Sequence, residues 1–267
     1  MSGVAGSKVT VALLFPDLLG TYGDSGNAVI LAQRLRWRGV PAEVLTVRSG
    51  DPVPESCDLY VVGGGEDLPQ ALAARQLGTS GGPLHRAVGG GAAVLAVCAG
   101  LQILGNSFVG PDGNRSDGLG LLDCESVRAN GRRSVGEIVV DPEPDLGLPS
   151  LTGYENHAST TLLGPSARPV GRVVHGVGNG GETKVDGCRS GRVFGTYLHG
   201  PVLARNPALA DLILGWVTGD LAPLDDGECD DLRAERLAAS RTERRKPDLG
   251  GFERLRSRLT RSVGGSV

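Results

Sequence analysis

Hydrophobic and polar positions along the chain fall into two regimes. Val9 to Phe15 is an unbroken apolar run stopped by Pro16 and Asp17, the pattern of a strand buried on both faces. Asn27 to Arg38 predicts a helix and Val40 to Val47 a second strand. A third strand lies in CDLYVVGGG (57–65) and ends in three glycines. Helical pieces are expected at Gln70–Gln76 and Pro83–Val88, and a fourth strand over 92–97 runs straight into Cys98. Strands alternating with helical segments predict βαβ units and an α/β fold, an open, largely parallel sheet with helices on both faces.

From about 119 to 175 the pattern changes. GEIVVD (136–141), GRVVHGV (171–177) and GRVFGTYLHG (191–200) are β-like pieces separated by Gly/Pro turns with little helix between them. They are expected to form a mixed or antiparallel extension of the same sheet. Pro207 to Thr218 then closes the core: Leu209, Leu212, Ile213, Trp216 and Val217 recur at helical spacing and give a helix one apolar face. Asp225 to Arg261 is dense in Arg, Glu and Asp with a weak apolar repeat (Leu232, Leu237), and reads as a solvated helix. Ser262 to Val267 is expected to be disordered. One domain over 1–220 and a charged helical extension over 221–267 follow.

Composition narrows the function classes. The 267 residues are 40% hydrophobic, enough for a sizeable core, and the 43 glycines with 4% aromatics suit a sheet rich in tight turns. A net charge of −3 gives nucleic acid or an anionic membrane no overall attraction. Cys57, Cys98, Cys124, Cys188 and Cys229 include no CxxC pair. That argues against a disulfide framework and a zinc site, so no metal is expected, and for a reducing compartment. VTVALLF is too short for a signal peptide, and no segment approaches the roughly 20 apolar residues of a membrane span. A cytoplasmic location is expected.

The candidate chemistry sits where strands end. VLAVCAGLQILG (94–105) places Cys98 at a strand-to-helix corner. There the sulfur stands above the carboxyl edge of the sheet, at a helix N-terminus that favours the thiolate. The Ala99 N–H would face an oxyanion formed on a substrate carbonyl, and Gly100 permits close packing. The glycines of VVGGGED (61–67) end another strand, with Gly64 assigned as the second oxyanion donor. GTYLHGP (195–201) ends a third with His199, placed to take the thiol proton and return it to a leaving amine. His85 and His175 lie away from that edge, and His157 of GYENHAST is placed in the pocket wall.

These segments, with YGDSGN (22–27) and GEIVVD, resemble the class I, triad-type glutamine amidotransferases. The resemblance runs over residues 9–217 and is narrower to the cobyric-acid-synthase-like branch and, within it, to the GatD-type glutaminase subunits of lipid II isoglutaminyl synthase. It implies a flavodoxin-like fold. It also implies that Cys98 attacks the side-chain amide of L-glutamine, that Gln102 of the C-x-G-x-Q elbow touches the substrate, and that Asn156 and His157 line its site. Arg133 matches the position that binds glutamine, plausibly through the α-carboxylate, with neighbouring Arg132 leaving the register open. The partner implied is a MurT-type, Mur-ligase-like subunit in a heterodimer. No lysine follows a glycine as a P-loop requires, so no cofactor is expected in this chain; ATP and Mg²⁺ are expected on the partner, which would also engage lipid II. Another carboxylate acceptor, such as a corrinoid, and a non-catalytic regulator are the alternatives. One departure matters: the family's acid two residues after the histidine is here Pro201. The acid is then expected from elsewhere in the chain, from the partner, or not at all, with the partner the favoured source.

Overall fold

The computed structural model describes residues 8–78, 82–110, 112–129 and 131–243. Its first half alternates as expected: β1 (Val9–Leu14), α1 (Gly26–Trp37), β2 (Ala42–Val47), β3 (Leu59–Val62), α2 (Asp67–Leu77), α3 (Pro83–Gly89), β4 (Ala93–Val97) and α4 (Ala99–Leu104). The second half contains β5 (Ser107–Val109), β6 (Arg115–Asp117), β7 (Cys124–Arg128), β8 (Ser134–Pro142), β9 (Leu151–His157), β10 (Ser159–Leu163), β11 (Gly171–His175), β12 (Val185–Asp186), β13 (Cys188–Ser190) and β14 (Val193–Thr196). Three helices follow: α5 (Val202–Arg205), α6 (Pro207–Thr218) and α7 (Gly227–Glu243).

The main sheet has the order β13-β14-β4-β3-β1-β2. Every pairing from β14 across to β2 is parallel; only β13 runs antiparallel, at the edge. The central strands β3 and β4 are buried at every residue, whereas the edge strand β2 is half exposed. That contrast explains their sequences, because a strand covered by helices on both faces reads as a continuous apolar run. Register carries the functional consequence. Val62 pairs with Ala96, Thr196 with Val97 and Leu14 with Val62, so β1, β3, β4 and β14 all end at one rim.

The second half corrects one expectation. GEIVVD and GRVVHGV do not extend the main sheet; they form a separate antiparallel sheet of order β12-β11-β8-β9, and β10-β7-β5-β6 make a third. Only GRVFGTY joins the main sheet, as β14. Strands close in sequence pair with one another, and on the β14 side the main sheet ends in the three-residue β13.

In α6, Leu209, Ala210, Ile213 and Leu214 are buried, with Leu212, Trp216 and Val217 packed partly against the core. The buried stripe is turned from the one expected because Asp211 faces α1, where it takes a bidentate hydrogen bond from Arg34 at 2.7 Å. The same buried guanidinium binds Asp226 at 2.7 and 2.8 Å, which ties the segment before α7 to the core. The expected disorder of 262–267 concerns residues outside those described. No described helix is long and apolar enough to cross a membrane.

Candidate active site

Cys98 occupies the first position past β4, with φ 50° and ψ −104°. A non-glycine residue at positive φ is strained by about 1–3 kcal/mol and persists only where its surroundings impose it. Here they do. Its N–H donates to the Thr196 carbonyl at 2.9 Å and the Gly100 N–H to that of Gly63 at 3.2 Å. A Cβ on Gly100 would come within 2.5 Å of the Val62 carbonyl oxygen, so the corner needs a glycine there. The thiol is 5% exposed and lines a cleft of about 140 Å³. All five cysteines are free thiols.

His199, two residues beyond the Tyr197 that follows β14, is 1% exposed. Its backbone is fixed by reciprocal hydrogen bonds with Tyr154 of β9, at 2.8 and 3.3 Å. Its ring is fixed by Asp24, fully buried, whose Oδ2 lies 2.8 Å from Nδ1. This leaves Nε2 as the nitrogen for Cys98. Burial works against the imidazolium, but Asp24 and Cys98 together overcome it and push His199 up from 6.5 to about 10. Tyr22 meets the imidazole edge-on, ring centroids 4.7 Å apart. Of the three sources open in the sequence, the structure shows the one within the chain and not the favoured partner: a carboxylate from the YGDSGN loop, 175 residues away in sequence, stands behind the histidine.

A second correction concerns Gly64. Its N–H donates to Asp24 Oδ2 at 3.0 Å, so it is not free for an oxyanion. A Cβ there would meet His199 Cε1 at 2.5 Å; this glycine is needed for close approach. Ala99, at the start of α4, and Gly65 line the cleft beside the thiol, and Gly64 does not.

The far wall comes from the smaller sheets. Arg133, Asn156 and His157 line the cleft, and Arg132 does not, which resolves the register. The Arg133 guanidinium donates from Nε to the Asn156 side chain, and from one terminal nitrogen to the Asn156 carbonyl at 3.2 Å and the Tyr22 hydroxyl at 3.3 Å. Asn156 therefore orients Arg133, a job different from the substrate contact expected of it. His157 stacks on Tyr197 at 4.0 Å. Gln102 also reaches the cleft, but its amide is already engaged. Its oxygen accepts from Gln70 at 2.8 Å, and its nitrogen donates to the Tyr197 hydroxyl at 3.1 Å. Sequence reasoning also missed Gln70, Arg128 and Asp67. Asp67 is the one carboxylate on the cleft wall among the described residues.

Residues 10–207 match the family model of the CobB/CobQ-like glutamine amidotransferase domain. A lipid II isoglutaminyl synthase (glutamine-hydrolyzing) subunit GatD from Staphylococcus aureus is 33% identical, over 78% of this chain and 83% of that one. Its counterpart from Streptococcus pneumoniae is 34% identical over 76% and 78%. A cobyric acid synthase from Pelotomaculum thermopropionicum is 33% identical over 80% of this chain, which spans only 41% of that longer protein. A crystal structure of a glutamine amidotransferase shares the fold with a TM-score of 0.51 at 22% identity, covering 78% of this chain and 98% of that one.

Proposed function

The chain belongs to the CobB/CobQ-like glutamine amidotransferase family, and from that premise we propose that it is the glutaminase subunit of a lipid II isoglutaminyl synthase. The observation that carries the chemistry is the thiol held at a strained strand–helix corner against an imidazole that a buried carboxylate keeps in place. His199 takes the Cys98 proton through its remaining ring nitrogen, which makes the sulfur the nucleophile. The thiolate attacks the side-chain amide carbon of glutamine, and the negative oxygen is met by the Ala99 N–H at the start of α4. The imidazolium gives its proton to the departing nitrogen, which leaves as ammonia. His199 then takes a proton from water, whose oxygen attacks the thioester, and glutamate leaves as the thiolate is restored.

The cleft wall suits an α-amino acid. Arg133 offers its remaining terminal nitrogen to the α-carboxylate, with Arg128 beside it as a second cation, and Asp67 offers a carboxylate to the α-ammonium. The relatives named as subunits support an obligate partner. On this reading the partner is a Mur-ligase-like chain that binds ATP and Mg²⁺. It activates the α-carboxyl of D-glutamate in the lipid II stem peptide, which the ammonia converts to D-isoglutamine. A cytoplasmic location accords with that role.

The test is glutamate release from glutamine with and without the ligase subunit, paired with amidation of lipid II. Cys98→Ala and His199→Ala should each lower release by roughly 10³-fold or more. Unchanged release in Cys98→Ala overturns the glutaminase, and amidation of a corrinoid but not of lipid II overturns the acceptor.

A further inference from the structure

A groove of about 730 Å³ lies between α1, α5 and the first turn of α7, and shares no lining residue with the catalytic cleft. Its floor is Val29, Ile30, Trp37, Leu203 and Pro207. Helix α1 buries Leu31 and Leu35 in the core, yet leaves Trp37 62% and Val29 57% exposed. Val29, Ile30 and Trp37 thus form a second apolar stripe on α1, facing water, the kind of patch that marks an interaction site. The rim is acidic. Asp225 and Glu228 stand exposed along it. Arg34, the one cation among its described lining residues, is already paired with Asp211 and Asp226. An apolar floor beside exposed carboxylates fits a helix with one apolar face and basic flanks.

This chain carries such a segment. Residues 244–267 lie beyond those described and hold seven basic residues against two acids, in a chain whose net charge is −3. Phe252, Leu255 and Leu259 recur at helical spacing, with Arg254, Arg256, Arg258 and Arg261 around them. Length permits the return. The 17 residues of α7 carry the chain about 25 Å from the groove, at roughly 1.5 Å per residue. Residues 244–251 reach about 26 Å when extended, and Pro247 with Gly250-Gly251 suits a reversal.

We propose that residues 252–261 seat in this groove as a helix of the same molecule. Phe252, Leu255 and Leu259 cover Val29, Ile30 and Trp37, and the arginines lie over Asp225 and Glu228. Tethering favours this occupant, because a segment on a short linker is present at effectively millimolar concentration, whereas a separate chain must bind from solution. The inference is independent of the glutaminase reading.

Cys229 reports on the groove: it lines it and is partly exposed, whereas Cys57, Cys124 and Cys188 are buried. The full chain and its Leu255→Asp variant are treated with iodoacetamide, a neutral reagent, and each cysteine is followed by mass spectrometry of digests. Cys229 should react about 10-fold more slowly in the wild type, the worth of burying one leucine, while Cys98 reacts equally in both. An added negative charge would by itself slow a thiol, so acceleration reports release of the segment. Ser257→Asp, on the opposite face of the helix, should leave the Cys229 rate unchanged. Equal Cys229 rates in the wild type and Leu255→Asp overturn the proposal, and so does equal acceleration by Ser257→Asp. Protection that arises only when the ligase subunit is added assigns the groove to that partner instead. Should Leu255→Asp fail to fold, the wild type decides alone: a Cys229 that reacts as fast as in the urea-unfolded chain is equally fatal.

Discussion

The two halves of the site are built on different principles. The reacting groups stand at the ends of β4 and β14 and on the loop that leaves β1, where strands buried on both sides fix the backbone before any side chain is placed. The wall that faces the substrate comes from β7, β8 and β9 of the two smaller sheets, together with the residues that flank them. Its arginine is held by side-chain hydrogen bonds and not by burial. Rigidity serves bond-making, where an error of about 1 Å costs roughly 10²-fold in rate. The looser wall needs only to capture a small zwitterion.

That contrast predicts different kinds of failure on the two sides. The largest effect is expected from Gly100→Ala. The added methyl would press on the Val62 carbonyl oxygen, an overpacking worth about 1–3 kcal/mol, and shift the corner that carries the sulfur. Thermal unfolding and kcat should both decline; a variant with normal kcat would show that the corner tolerates movement. On the wall, Arg133→Ala should leave stability and kcat nearly intact and raise KM for glutamine by roughly 10- to 100-fold, the value of a charge-assisted hydrogen bond. Arg133→Lys should recover only part, since an ammonium lacks the planar guanidinium that Asn156 and Tyr22 hold in place. A fall in kcat with unchanged KM would place Arg133 among the reacting groups and dissolve the distinction.

The effect least tied to catalysis belongs to the seam. Asp186 lies on β12 of a wall sheet but accepts hydrogen bonds from the Thr196 hydroxyl at 2.6 Å and the Tyr197 N–H at 3.2 Å, at the end of β14. Complete burial raises its carboxyl from 3.8 to about 6 despite those bonds. The folded chain therefore holds this proton more tightly than the unfolded one. Its contribution to stability is greatest below about pH 4, declines as pH rises towards 6 and is level above, by at most about 3 kcal/mol. Urea unfolding of Asp186→Asn should lack that slope. A slope equal to the wild type's would assign it to other groups.

The sequence made one half far more legible than the other, for physical reasons. Buried parallel strands announce themselves as apolar runs, and a run broken by Cys-Ala-Gly or Tyr-Leu-His shows what stands at its end; Cys98, Ala99 and His199 were readable on that ground. Asp24 obeys the same logic, as an acid in the loop that leaves β1 at the same rim. Its role has no signature near His199, because a hydrogen bond across 175 residues imposes no local spacing. The commitment of the Gly64 N–H to Asp24, and the use of Asn156 to aim Arg133, depend on hydrogen-bond partners that only coordinates supply. The smaller sheets were seen as strands but wrongly attached, because alternation reports which faces are covered and not which neighbour covers them.

The left-handed twist at Cys98 has one more consequence. A backbone held in that posture is a spring kept wound by the carbonyls of Gly63 and Thr196, and it would relax as soon as either grip loosened. Warming should therefore silence the nucleophile some degrees before the sheet itself melts, an ordering that activity and circular dichroism followed on the same ramp would reveal.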